Sequence, residues 1–269
     1  MFRRAPSDRP EPLTCRLAAG RVALEVAGGS VVGHRYPANF DVLHVDPTLP
    51  FVAVVDGMGS GEGARVAGTT TMTTLVEAVR GDWPTVGAHE LRAAVADARS
   101  LVRAAGARLT ELTGCTLTAL LVEPDGEQVW LVQLGDSRAY RLRDGVLELM
   151  TVDHTAAWLG LLHGWYRAGS AEAARARYQL LRYVGHPDNP DADLLAVPLR
   201  VGDTWLLCTD GVSDQVDYHR MREALAGGDP KRAVRSLLTS SLAEGGEDNA
   251  TAVVLRVRPG GVEGEGEHP

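Results

Sequence analysis

Three strand-like runs follow one another with too little chain between them for a helix. TLTALLV (116–122) leads to VWLVQL (129–134) through a turn containing EPDGE, and VWLVQL leads to AYRLR (139–143) through GDSR. Connections this short require antiparallel neighbours, because a parallel crossover consumes roughly a dozen residues or more. The same β-branched and aromatic bias recurs in RVALEV (21–26), FVAVV (51–55), LLAVPLR (194–200), TWLLC (204–208) and TAVVLRV (251–257).

Helical patterns come in blocks. Residues 63–80 and 88–112 follow one another, and a third block covers 156–183. A fourth, 231–245, begins after Asp229-Pro230, a capping residue followed by a first-turn proline. Strands and helices segregated into runs predict layered α+β packing, not βαβ alternation. Neither an internal repeat nor a Pro/Gly/Ser linker divides the middle. One domain is therefore expected over residues 21–257, between a mobile N-terminal tail (1–20) and a disordered, Gly- and Glu-rich C-terminal tail (258–269).

Charge and cysteine content exclude several classes. With 27 Lys and Arg against 35 Asp and Glu, the net charge is −8. That argues against nucleic acid, whose phosphates are held by clustered cations. Cys15, Cys115 and Cys208 form no CxxC pair, so neither a disulfide framework nor a zinc site is indicated. Cys115 and Cys208 sit in apolar runs and read as core thiols. No stretch approaches the roughly 18 apolar residues of a membrane span. The arginines of MFRRAPSDRPEP precede no apolar region, so no signal peptide is expected and the cytoplasm is the default.

The chemistry is suggested by an arrangement that repeats. An apolar strand ends, and an aspartate with a small neighbour follows: Asp56-Gly57 after FVAVV, Asp136-Ser137 after VWLVQLG, and Asp210-Gly211 after TWLLCT. Asp248 lies just ahead of a further strand, in EDNATAVVLRV. An isolated Asp-Gly is usually a turn. If neighbouring strands bring these four ends together, however, their carboxylates repel unless a cation neutralises them. Oxygen ligands without His or Cys select hard ions such as Mg²⁺, Mn²⁺ or Ca²⁺ over zinc.

Five segments, in order, resemble the metal-dependent protein phosphatase family of type 2C in its bacterial form: FVAVVDGMGSGEGARVAG (51–68), GCTLTALLV (114–122), VQLGDSRAYRLRDGVLELMTVDHT (132–155), GDTWLLCTDGVSD (202–214) and GEDNATAVVLRV (246–257). The resemblance implies an α+β, four-layer sandwich: two mainly antiparallel β-sheets flanked by α-helices on both outer faces. It implies a serine/threonine phosphatase hydrolysing phosphomonoesters with a metal-activated water, using two Mg²⁺ or Mn²⁺ ions and a third, weaker one. By position, Asp56 would bridge two metals, the Gly57 carbonyl would bind one of them, and Asp210 and Asp248 would hold the other. Asp136 would bind the third ion, with Asp214 able to join it. Asp41 and Asn249 would support these ligands from behind. Phosphoserine and phosphothreonine proteins, including substrates of a cognate kinase, would be the partners of a monomeric enzyme.

The chain also departs from the family pattern. Phe40 stands where an acidic residue usually precedes the aspartate aligned with Asp41. Tyr36 stands at the place of a phosphate-binding arginine, with Arg35 one residue earlier and able to take that role. Met58 replaces a histidine found in some members. Residues 156–185 lack the family's flap signature and read as a helical, apolar lid or packed surface helix. Asp153, His154 and Arg138 read as structural.

Rival readings lack what their chemistry requires. Gly59 to Ala64 satisfies G-x-G-x-x-A, but Asp56 before it would repel a pyrophosphate and no acidic strand end follows about 20 residues on. None of the cysteines has the C-x₅-R arrangement of a thiol phosphatase, and Asp56 lacks the second aspartate of a DxDx(T/V) enzyme. The alternative that stands is a degenerate phosphatase fold that binds a phosphoprotein or regulatory partner without turnover.

Overall fold

The computed structural model describes residues 11–260. Its strands are β1 (Leu13–Ala19), β2 (Val22–Val31), β3 (Asp41–Val45), β4 (Phe51–Asp56), β5 (Leu117–Val122), β6 (Gln128–Leu134), β7 (Arg138–Arg143), β8 (Val146–Leu149), β9 (Asp193–Pro198), β10 (Thr204–Cys208) and β11 (Ala250–Pro259). The helices are α1 (Glu62–Asp82), α2 (Ala88–Gly106), α3 (Ala156–Leu162), α4 (Ala171–Ala176), α5 (Asp210–Ser213), α6 (Tyr218–Ala226) and α7 (Pro230–Ala243).

Two sheets result, one ordered β1-β2-β11-β10-β7-β8 and the other β3-β4-β5-β6-β9. Every pairing is antiparallel. Three hydrophobic layers hold the sandwich together. Val52, Val54, Leu120, Trp205, Leu207 and Leu255 fill the space between the sheets. Phe51, Val55 and Leu121 pack outward against Leu75 of α1 and Leu91 of α2. Leu206 and Val254 pack outward on the other side against Leu225 of α6 and Val234 and Leu237 of α7. The four-layer α+β sandwich expected from the sequence is the fold.

The continuous apolar runs are explained by this layering. In β4 and β5, odd-numbered side chains join the helix-facing core, whereas Val52, Val54, Leu120 and Val122 join the inter-sheet core. A strand buried on both faces needs apolar residues at every position. Fully burying each such side chain contributes on the order of 1.5–3 kcal/mol.

Several expectations are corrected. The N-terminal segment assigned to a mobile tail as far as residue 20 contains β1, which pairs along its whole length with β2. Strand β11 runs to Pro259, past the expected boundary at 257. Residues 1–10 and 261–269 of the expected tails lie outside the described residues. The helical block at 156–183 is two short helices, capped by the side chains of Thr155 and Ser170. Gly164 and Gly169 separate them with φ values of 71° and 76°, a left-handed conformation that suits glycine and ends a helix. α2 stops at Gly106, not at 112.

Candidate metal centre

Hydrogen bonding in the sheets brings the strand-end aspartates to one end of the sandwich. Asp56 is the last residue of β4, and Asp136 lies in the tight turn between β6 and β7. Asp210 opens α5 directly after β10, and Asp248 lies just ahead of β11. All four line a single cleft of about 250 Å³, together with Gly57 and Asn249. Gly57 must be glycine here, because a Cβ would lie 2.7 Å from the Ala64 carbonyl oxygen and 2.9 Å from that of Phe40.

The carboxyls resist ionisation where they stand. Burial raises Asp56 well above the ordinary carboxylate range, and repulsion from Asp41, Asp210, Asp136 and Asp248 adds to it. Burial, then Asp210 and Asp153, push Asp136 up to about 8. Burial and Asp210 push Asp248 up to about 6. Asp210 is also raised by burial, a rise eased by a hydrogen bond from the Asp56 carboxyl. Its Oδ1 is buried without any hydrogen-bond partner. A buried oxygen with no donor, amid carboxyls that repel one another, fits a hard divalent cation as the missing neighbour. Among the described residues, no three His, Cys, Asp or Glu side chains already stand at the spacing of a closed metal cage. The carboxyls therefore share a cleft, not a finished coordination shell.

Hydroxyl groups hold these aspartates from behind. Asp41 pairs with Asp56 across β3 and β4. Its Oδ2 accepts from Thr209 Oγ1 at 2.9 Å and from Thr251 Oγ1 at 2.6 Å. It is thereby tied both to the residue preceding Asp210 and to the strand following Asp248. Burial raises Asp41 to about 7 despite these two bonds, and its Oδ1 has no partner. The Asp56 N–H donates to Thr116 Oγ1 at 2.9 Å, and Thr116 shares a hydrogen bond of 2.7 Å with Ser137, beside Asp136. Asn249 Oδ1 accepts from the Phe40 N–H at 2.8 Å, and its Nδ2 donates to the Ala38 carbonyl. A buried Phe40 thus meets Asn249 through its backbone where the family pattern has a carboxylate.

The turn carrying Asp136 is clamped on both sides of Gly135. His154 Nδ1 accepts the Gly135 N–H at 3.1 Å, while the His154 N–H donates to the Gly135 carbonyl at 3.0 Å. His154 Nε2 lies 3.0 Å from Asp193 Oδ2 and 2.8 Å from Arg182 Nη1. Burial keeps this imidazole below its usual pKa, consistent with a neutral ring whose Nδ1 is an acceptor. Arg138 and Asp153 form a two-pronged ion pair alongside.

Arg35 and Asp214, both predicted site residues, do not line the cleft. Arg35 has a side chain 67% exposed and meets Glu247 at 3.8 Å. Tyr36, not Arg35, lines the cleft, as does Met58. Asp214 faces a second cavity of about 250 Å³, roofed by residues of α3, α4 and the segment after them. There it forms an ion pair with Arg177. Asp136, Asp210 and Tyr178 line both cavities.

Thr116, Thr209, Thr251, Arg177 and Tyr178 were not singled out in the sequence. The threonines did leave a signal: Thr116 and Thr251 are polar residues within or beside apolar strands, and both are almost wholly buried. Arg177 left none, because its partner depends on how the lid folds over.

A family model described as protein phosphatase 2C matches residues 39–238. The chain belongs to the protein phosphatase 2C family. The serine/threonine protein phosphatase PstP of Mycobacterium tuberculosis is 32% identical over 209 residues, 77% of this chain and 40% of PstP. The chain thus spans well under half the length of that relative. The serine/threonine phosphatase stp of Listeria monocytogenes is 28% identical over 237 residues, covering 83% of this chain and 91% of stp. A crystal structure of M. tuberculosis PstP superposes with a TM-score of 0.77 at 31% identity, covering 88% of this chain and 99% of that one. The catalytic domain of PstP in complex with two manganese ions superposes with a TM-score of 0.78 at 30% identity, covering 88% of this chain and 99% of that one.

Proposed function

We propose that this member of the protein phosphatase 2C family is a Mg²⁺- or Mn²⁺-dependent phosphatase that hydrolyses phosphoserine and phosphothreonine in proteins. The observation that carries this reading is the cleft itself, where four aspartates from separate strand ends face one another. A folded chain has no structural use for such repulsion. Asp56, Asp210 and Asp248 would hold two cations with the Gly57 carbonyl, and Asp136 would hold a third, weaker one that Asp214 can join. When bound, such ions supply a water nucleophile active at neutral pH and neutralise the phosphoryl oxygens.

The chain's own residues do the positioning. Asp41 keeps the Thr209 and Thr251 hydroxyls, and with them Asp210 and the start of β11, in fixed relation to Asp56. Thr116 and Ser137 do the same for Asp56 and Asp136. Outer hydrogen-bonding partners of this kind set ligand orientation. Arg35, exposed outside the cleft lining, would attract the phosphoryl group only from a distance, and Asn249 holds the Phe40 backbone.

Mn²⁺-dependent release of phosphate from a chromogenic aryl phosphate and from a phosphothreonine peptide, abolished by a chelator, tests the reading. Displacement of Arg35 from the cleft favours the alternative of a binding module without turnover, and a flat time course with every divalent metal would establish that alternative. We place the activity in the cytoplasm, acting as a monomer on products of a cognate kinase. The three free cysteines suit a reducing compartment. No helix among the described residues is long and apolar enough to cross a membrane.

A further inference from the structure

Among the described residues, no lysine, arginine or histidine lines the acidic cleft. Cations can neutralise a phosphoryl group there, but its oxygens also call for hydrogen-bond donors held in place. Most polar groups of the lining are engaged elsewhere. The Thr116 hydroxyl meets the Asp56 N–H and Ser137, and Asn249 is held between Phe40 and Ala38. The Gly57 and Met58 N–H groups donate to the carbonyls of Phe40 and Gly114. Two phenols remain, Tyr36 and Tyr178, and Tyr178 is 74% exposed.

Tyr36 is placed by the same segment that carries Asp248. The chain ahead of it runs close against that segment, since a Cβ on Gly33 would lie 2.1 Å from the Asp248 carbonyl oxygen. The next two residues bond to the segment in turn. The His34 N–H donates to the Gly246 carbonyl at 2.6 Å, and the Arg35 N–H to the Glu247 carbonyl at 3.1 Å. The Tyr36 N–H closes back on the Gly33 carbonyl at 3.3 Å. This turn parts two neighbours: Arg35 sends its guanidinium outward towards Glu247, and Tyr36 sends its ring into the cleft. The ring meets Phe40 edge-on with centroids 6.0 Å apart, and the Arg35 guanidinium lies 6.0 Å from its centroid. No described residue hydrogen-bonds to its hydroxyl. Burial, and then Asp248, hold the phenol above its usual pKa, so the cleft receives a neutral O–H donor.

We propose that Tyr36 binds the substrate's phosphoryl group, its hydroxyl donating a hydrogen bond to a phosphoryl oxygen. The assignment rests on the phosphatase reading above. One set of backbone bonds fixes both Tyr36 and Asp248, so the donor keeps its place relative to a proposed metal ligand. The phenol carries no charge. It orients the phosphoryl group and leaves neutralisation to the cations.

Tyr36→Phe deletes the hydroxyl and keeps the ring between Phe40 and Arg35. With aryl phosphate and saturating Mn²⁺, kcat/KM should fall about tenfold or more, the scale of a hydrogen bond to a charged group. Inorganic phosphate, used as a competitive inhibitor, should bind the variant more weakly by a similar factor. Mn²⁺ affinity, measured by calorimetry without phosphate, and the melting temperature should not change. An undiminished kcat/KM, or an inhibition constant for phosphate that does not move, overturns the assignment. So does a Mn²⁺ affinity that falls as far as turnover does, which would give the hydroxyl to Asp248 and not to the substrate. In each of these cases the unsubstituted protein still hydrolyses aryl phosphate and the phosphatase reading stands. Absence of that hydrolysis with Mn²⁺ in the unsubstituted protein overturns both.

Discussion

Arg177, from the segment following α4, forms an ion pair with Asp214 beyond the end of α5, joining the lid to the acidic rim. The carboxylate side chain is 19% exposed and the guanidinium side chain 39% exposed. A guanidinium and a divalent cation cannot both neutralise Asp214 at full strength. If Asp214 joins the proposed third cation, Arg177→Ala should therefore strengthen binding at that proposed site by roughly fivefold or more, the lower range of coupling free energies between sites. Calorimetric titration with Mn²⁺ measures this directly. Unchanged affinity at every site would mean that the ion pair only anchors the lid.

Asp210→Asn removes a charge from the cleft at nearly constant volume. Turnover of aryl phosphate should fall by more than the about 10–100-fold typical of losing an outer hydrogen-bonding partner. The far-ultraviolet circular dichroism spectrum should not change. In a chelator the variant should melt higher than the parent, because one repelling carboxylate is gone. Undiminished turnover would remove Asp210 from the mechanism.

Thr251→Val deletes the hydroxyl that donates to Asp41 Oδ2 and also contacts Ser30 Oγ at 2.6 Å. Leaving a buried acceptor short of a donor costs about 1–3 kcal/mol. Mn²⁺ affinity should fall by about 10–100-fold, since Asp41 links the elements that bear Asp210 and Asp248. Denaturant unfolding and Mn²⁺ titration check the two parts separately.

The cleft gives the metal-free protein an unusual pH response. Asp248, Asp41 and Asp136 keep their protons to about 6, 7 and 8 in the folded state. In the unfolded chain each aspartate loses its proton near about pH 3.9. From there up to about pH 8 the folded state binds more protons than the unfolded one, so stability falls as pH rises. With a chelator present, the melting temperature at about pH 8 should lie below that at about pH 5.5. Added Mn²⁺ should stabilise more at the higher pH, where its ligands ionise at least cost. A metal-free melting temperature that climbs across this window would contradict the burial of these carboxyls.

Arg35→Ala should raise KM with little change in kcat, by no more than about fivefold, because an exposed charge contact is worth at most about 1 kcal/mol. The effect should fade in high salt. A large loss of kcat would place the guanidinium against the reacting phosphoryl group.

Much of this architecture could be read from the chain because β4, β5, β10 and β11 are buried on both faces and so appear as unbroken apolar runs. β3, with Asp41 and His44 among five residues, and the outermost strands β1 and β8 had no such run. α6 was missed because only Met221 and Leu225 of its nine residues are buried, so its apolar stripe is a single pair. The lid read as one helix because its alanines, leucines and arginines favour helix, and two glycines outweighed them. Asp56, Asp136, Asp210 and Asp248 were visible because each adjoins its own strand. The support given to Asp41 by Thr251, 210 residues away, depends on pairing between distant segments and has no local trace.

Alternate residues of β4 belong to different cores, which turns this strand into a ruler for its terminal carboxylate. One residue added between Phe51 and Asp56 would exchange the two sets of side chains and swing the acid to the opposite side of the ribbon. Length changes of this kind are therefore forbidden ahead of the rim, whereas the glycine-bounded bend between α3 and α4 can lengthen or shorten without disturbing either core. Engineered insertions belong in that bend.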